Sequence, residues 1–282
     1  MLKTDDVATI EDPTERALAV NSRIDDHQAA IAELSRIRRE ALEELLSSGI
    51  SQTRLADLLG MSRSRISQLL SVGTRPERSF LGSGKLTVAI GSKREADKKR
   101  SVSEMISAEC FTAYEMLSET ARLVGLDVAQ EIVPPPGIVH LNRANLIVLT
   151  NPRLLPFLSQ VMEVDPYIRY VQEDKEWHLV DVSTGTEYRS PKDRGESSDY
   201  GYIGRLPRPD GKGTFLYLAG THAQGTLGAA VYVVDNLPSL YRDLRTRRFS
   251  TIVECRFDPE NQLKITSVEP VTPIYRHDGA SA

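Results

Sequence analysis

The sequence predicts an α/β protein with an all-α N-terminal head. Three observations carry this. Apolar residues recur at helical spacing, unbroken, from Pro13 to Ser48, and two short capped helices follow. From Lys85 onward, short β-branched runs alternate with helical stretches, which implies a mainly parallel sheet with helices on both faces. Between residues 167 and 188 three closely spaced aromatic and β-branched runs form a β-rich insert. The chain divides into residues 1–72, a linker over 73–84, and a second domain over 85–282.

The long leading helix opens at Asp12-Pro13-Thr14-Glu15, with Asp12 as cap, proline in the first turn and Glu15 at the positive end of the dipole. Ala17, Val20, Ile24, Ile31, Leu34, Ile37, Leu42 and Leu45 form its stripe, which is longer than a small head can cover. A second copy, in a short coiled coil, would cover it and predicts a homodimer. Packing on the chain's own second domain is the alternative.

Ser51 can cap the next short helix, whose Leu55, Ala56 and Leu59 are expected inward and Arg54 and Asp57 outward. Gly60 supplies a left-handed turn, Met61 an apolar plug and Ser62 a second cap. Ile66, Leu69 and Leu70 give the third helix its inner face. The spacing Ala56, Gly60, Ser62, Ile66, Leu69 resembles the helix-turn-helix of bacterial repressors and of the promoter-reading region of sigma factors, over roughly residues 31–72. That resemblance implies that residues 63–70 form a recognition helix in the major groove of double-stranded DNA. Arg63, Ser64, Arg65, Ser67 and Gln68 are then its outward positions, and Gln52, Thr53, Arg54 and Ser62 belong to the same expected DNA-binding set. Arg reads guanine and Gln adenine through paired hydrogen bonds. Without DNA the same pattern is an ordinary helical hairpin with surface arginines. Arg75, in the linker, is expected at a phosphate or in solvent.

The second domain reads as strand Leu86–Ile90, helix Ser103–Val124 stopped by Gly125, strand Asp127–Val133, and strand Ala144–Thr150. Asn151-Pro152-Arg153 is expected to open a helix to about Val164. The insert follows, at Tyr167–Val171, Trp177–Val182 and Gly185–Tyr188. Residues 189–199 read as polar and mobile. Strand Tyr200–Arg205, the strongly apolar strand Thr214–Ala219, a helix to about Asp235, and strands Ser250–Arg256 and Leu263–Pro270 complete it. The domain loosely resembles a Rossmann-type nucleotide-sensing domain.

In parallel sheets, ligands sit at the carboxyl ends of the strands. Three strand ends carry polar loops: Gly91-Ser92-Lys93-Arg94, Thr150-Asn151-Pro152-Arg153 and Gly220-Thr221-His222-Ala223-Gln224-Gly225-Thr226. The glycines permit close backbone approach, and the helix after Gly220 offers N–H donors. Together they predict a site for a small anionic, nucleotide-like effector; no other cofactor is expected. The loop matches neither GxGxxG nor the Walker pattern, and a glycine-rich turn needed only for packing is the alternative. Trp177, Tyr167, Tyr170, Tyr188, Tyr200 and Tyr202 make the insert aromatic, as core or as a ligand wall. Glu109 and Glu115 are the candidate bases of a catalytic alternative, an enzyme acting on a nucleotide or NAD-like substrate. A third possibility is a pure assembly module. His222 is the only histidine in a candidate loop; His27 and His277 read as peripheral. No HxxxH or HExxH occurs, and Cys110 and Cys255 stand alone, so no metal site is expected.

The net charge of −4 does not suggest a generic polyanion binder. Basic residues concentrate locally: residues 31–80 hold eight arginines against six acids, and 81–102 six basic residues against two acidic. No signal peptide or long apolar run is evident, and membrane partners are not expected. The expected protein is cytoplasmic and nucleoid-associated: a sequence-specific DNA-binding transcription regulator with a ligand-sensing domain.

Overall fold

A computed structural model describes residues 7–71, 77–94, 104–174 and 176–277. The chain forms two compact units, Met1–Thr74 and Arg75–Ala282.

In the first unit, helix α1 spans Pro13–Ser47. The Asp12 carboxylate accepts from the amides of Thr14 and Glu15 at 2.8 Å, which starts the helix as expected. Helices α2 (Gln52–Leu59) and α3 (Arg63–Ser71) follow. Ser51 Oγ accepts from Arg54 N at 3.3 Å and Ser62 Oγ from Arg65 N at 3.1 Å. Gly60 sits at φ 61°, in the left-handed region, and ends α2. Leu42, Leu55, Ala56 and Ile66 form the small core, with Leu45, Leu46, Ile50, Met61, Leu69 and Leu70 around it. Leu59, expected inside, is exposed, as is Leu58. Two helices this short bury one side only, and Leu55 and Ala56 already fill the contact.

The second unit is α/β. Its main sheet runs β12-β11-β9-β10-β5-β1-β4, with β13 on β11. Strands β1 (Lys85–Gly91), β4 (Asp127–Val133), β5 (Leu146–Leu149) and β10 (Thr214–Gly220) are parallel. Strand β9 (Ser198–Pro207) pairs antiparallel with β10 and β11 (Phe249–Phe257), and β11 pairs antiparallel with β12 (Ile265–Pro270) and β13 (Tyr275–Arg276). The sheet is therefore mixed. Side chains of β10 alternate between two cores: Leu216 and Leu218 face one, Phe215, Tyr217 and Ala219 the other.

Helices do not cover both faces equally. Helices α5 (Ala108–Leu123), α7 (Ala223–Asp235) and α8 (Leu237–Leu244) pack on the first face. The second face carries only the short α6 (Phe157–Met162) and the insert, a three-stranded sheet of β6 (Ile168–Glu173), β7 (Glu176–Asp181) and β8 (Thr186–Tyr188).

Several boundaries differ from the sequence reading. Helix α5 starts at Ala108, where Ser107 Oγ accepts from Cys110 N at 3.2 Å. Glu104–Met105 (β3) instead pairs with Lys93–Arg94 (β2). Asn151 caps a turn, through Leu154 N to Oδ1 at 3.3 Å, and α6 begins six residues later. Part of the expected linker is structural: Arg78–Leu81 forms a helical turn, α4, with Phe80 buried against Phe249 at 5.8 Å between ring centroids. The Arg205 guanidinium lies 4.8 Å above the Phe80 ring and donates to the Phe80 carbonyl. Residues 189–199 contain a 3-10 turn, Pro191–Arg194, and bury Ser190, Pro191, Ser198 and Asp199.

Candidate functional site

In the first unit, α3 presents Arg63, Ser64, Arg65 and Ser67 on its exposed side, while Ile66 is fully buried between them. Thr53, Arg54 and Ser62 are also exposed, and Gln52 is half-buried. The Gln68 side chain and Arg75 lie outside the described residues.

In the second unit, the parallel register carries the three loops to one sheet edge. Strand β1 lies between β4 and β5, so the chain leaves it first to one side and then to the other. Such a reversal opens a crevice beyond the carboxyl ends of the strands. A cleft of about 520 Å³, partly open to solvent, lies there, lined by residues 91, 93, 107, 110, 150, 151, 153, 154, 221, 222, 223 and 226. It thus gathers Gly91, Lys93, Asn151, Arg153, Thr221, His222 and Thr226 from the expected set.

Three expected residues do not line it. Ser92 is fully buried, its hydroxyl 3.4 Å from Glu104 Oε2. The Gly220 amide donates to Thr226 Oγ1 at 2.8 Å, and its carbonyl accepts from Tyr170 OH at 2.5 Å and Asn151 Nδ2 at 3.3 Å. A Cβ on Gly220 would lie 2.1 Å from the His222 carbonyl. Gly225 backs onto β9, where a Cβ would lie 2.0 Å from the Tyr200 carbonyl. Both glycines serve packing, as the alternative reading held.

The residue that organises this loop is Asp199, fully buried on β9. Its carboxylate accepts from Gly225 N at 2.6 Å, His222 N at 3.0 Å, Ser190 Oγ at 2.6 Å and Thr221 Oγ1. Sequence reading missed it: it follows a polar stretch with no glycine pattern or motif to single it out. Its consequence is that part of the helix N-terminus is capped from within. Ala223 lines the cleft, and its amide has no acceptor among the described residues. Thr150, the first residue of the second expected loop, is buried at its edge. It is 2 % exposed, lines the cleft, and its hydroxyl has no partner among the described residues. Gly91 must be glycine beside it, since a Cβ would lie 2.2 Å from that hydroxyl.

The lining contains Lys93 and Arg153, both exposed, and no carboxylate. His222 Nε2 is 2.8 Å from Asp193 Oδ1 at the rim. Burial pushes the Cys110 thiol up, so it is held protonated and unsuited to nucleophilic attack. Glu109 Oε1 accepts from Gln224 Nε2 at 2.7 Å, Glu115 is exposed, and neither lines the cleft.

A Ser-His-Asp grouping occurs elsewhere. His277, far from peripheral, is buried with Nε2 2.9 Å from Ser250 Oγ and 3.5 Å from Asp165 Oδ1. Both contacts use the same nitrogen, and Ser250 is fully buried. A relay needs the two ring nitrogens in turn, so the grouping ties β11 to the segment before β6.

Of the insert aromatics, Tyr170 and Tyr202 are buried, Tyr167 stacks on Tyr275 at 4.6 Å, and Tyr188 meets Tyr200 edge-on at 5.3 Å. No helix among the described residues is long and apolar enough to cross a membrane, and no three His, Cys, Asp or Glu side chains there are grouped to hold a metal. Comparison of the chain with family models, curated proteins and solved structures finds no match.

Proposed function

We propose that this chain is a DNA-binding transcription regulator whose C-terminal α/β unit binds a small anionic effector, and that it acts as a homodimer. The observation that carries the first part is the geometry of α2 and α3. Two capped helices are joined through Gly60 at positive φ, with Arg63, Ser64, Arg65 and Ser67 outward over a buried Ile66. That is the form in which a second helix enters a major groove. The cleft supports the second part. Its lining holds two cations, Lys93 and Arg153, and no carboxylate among the described residues. This supports the binding of an anionic group. The exposed stripe of α1, including Leu18, Ile31 and Leu34, supports self-association.

The test is DNA selection from a random pool with the full chain, followed by gel shifts. Each base-reading Arg contributes about 1–3 kcal/mol, so Arg63→Ala and Arg65→Ala together should weaken the selected site at least tenfold. Unchanged affinity would remove α3 as the reading element.

A further inference from the structure

A second hollow of about 300 Å³ adjoins the cleft, lined by Arg153, Glu176, Trp177, Asp193, Thr221 and His222. Arg153, Thr221 and His222 line both. The two are halves of one groove that share Arg153. The inner half adds Lys93 and has no carboxylate among the described residues; the outer half adds two carboxylates and an indole.

An anionic group is drawn to the inner half, which Lys93 and Arg153 line beside Ala223, the first residue of α7. In the outer half Asp193 meets His222 Nε2 at 2.8 Å and Glu176 lies 3.7 Å from Arg189. Carboxylates there accept only, so they suit hydroxyl or amino groups. Trp177 is half-buried, with the Tyr170 ring 5.5 Å away, and Tyr170 OH donates to the Gly220 carbonyl. The indole is therefore held at a fixed place relative to the loop that walls the inner half. A planar ring is the partner an indole takes best, and every nucleobase has a face to stack on it.

We propose that the groove holds a nucleoside phosphate, with its phosphates in the inner half, its ribose hydroxyls on Asp193 and Glu176, and its base against Trp177. This rests on reading the inner half as the effector's anion site, and adds the class of the effector and its orientation.

Trp177 is the chain's single tryptophan, so its emission reports on the outer half without any substitution. The full chain is titrated with pyrophosphate, ribose 5-phosphate, ADP, GDP and UDP, by calorimetry and by tryptophan fluorescence. The expected result is that at least one nucleotide binds tenfold or more tighter than ribose 5-phosphate and changes Trp177 emission, while pyrophosphate binds without changing it. Trp177→Leu should remove the nucleotide's advantage and leave pyrophosphate affinity within twofold; Arg153→Ala should weaken both. If pyrophosphate and ribose 5-phosphate bind and no nucleotide binds tighter, or emission is unchanged on nucleotide binding, the nucleotide assignment is overturned and the anion site stands. If none of the five binds, the anion site falls with it.

Discussion

Two glycines carry opposite constraints. Gly60 has open space around its Cα but a φ of 61°; Gly225 meets the Tyr200 carbonyl at 2.0 Å and the Asp199 carboxylate at 2.7 Å. Alanine at Gly60 pays only for the left-handed conformation, about 1 kcal/mol. Alanine at Gly225 must push α7 off β9, and overpacking of this kind costs about 1–3 kcal/mol or more. Thermal denaturation should therefore show two separate effects: Gly60→Ala lowers the first unit's transition slightly, and Gly225→Ala lowers the second unit's strongly. Equal shifts would refute the distinction. From sequence Gly60 reads as a left-handed turn glycine, and Gly225 as a glycine that lets the backbone approach a ligand. The left-handed role of Gly60 was legible because its neighbours Ser51 and Ser62 fix the helix ends. Gly225 was not, since its constraint comes from β9, and strand pairing across the sheet leaves no local trace. Asp199 was hidden for the same reason: all its partners are distant in sequence except Ser190.

Most elements were legible where periodicity ran long enough. Strands β1, β4, β5 and β10, the insert, α1 and α7 lie where alternation or helical spacing puts them. Short elements were lost: α4 and the 3-10 turn span four residues each, too few to show a period, and α8 was passed over although Leu237, Leu240, Tyr241 and Leu244 fall at helical spacing. The alignment of three loops followed from parallel strands alone, which is why seven of the expected residues share the cleft. Helix α4 has a consequence for the domain boundary. Its Phe80 fills the space between Phe249 and Arg205, and truncating a buried phenylalanine costs about 3–5 kcal/mol. Phe80→Ala should lower the unfolding free energy of the full chain's second unit by that amount, read from its urea midpoint and slope. Residues 77–282 should likewise outlast residues 85–282 in urea; equal midpoints would show that α4 contributes nothing.

At the scale of the molecule, α1 extends about 52 Å at 1.5 Å per residue, and its Leu18, Val20, Ile24, Ile31 and Leu34 are exposed. If a second copy covers them, deleting residues 1–30 should shift the sedimentation-equilibrium mass from dimer to monomer and weaken DNA binding. A monomeric full chain at micromolar concentration would refute dimerisation through α1. The second unit has a different organisation. Its loop over residues 220–226 is fastened from behind: Asp199 accepts from two of its amides, and Tyr170 and Asn151 donate to the Gly220 carbonyl. The conformational entropy of ordering that backbone is therefore lost at folding, and the proposed effector would meet a preorganised wall. A rigid wall cannot itself signal. Any change of shape on binding must arise on the opposite bank, in the exposed Lys93 and Arg153 side chains and the insert that carries Trp177. Amide hydrogen exchange should then be slow at Gly225 with or without effector, while the insert's exchange responds to its presence.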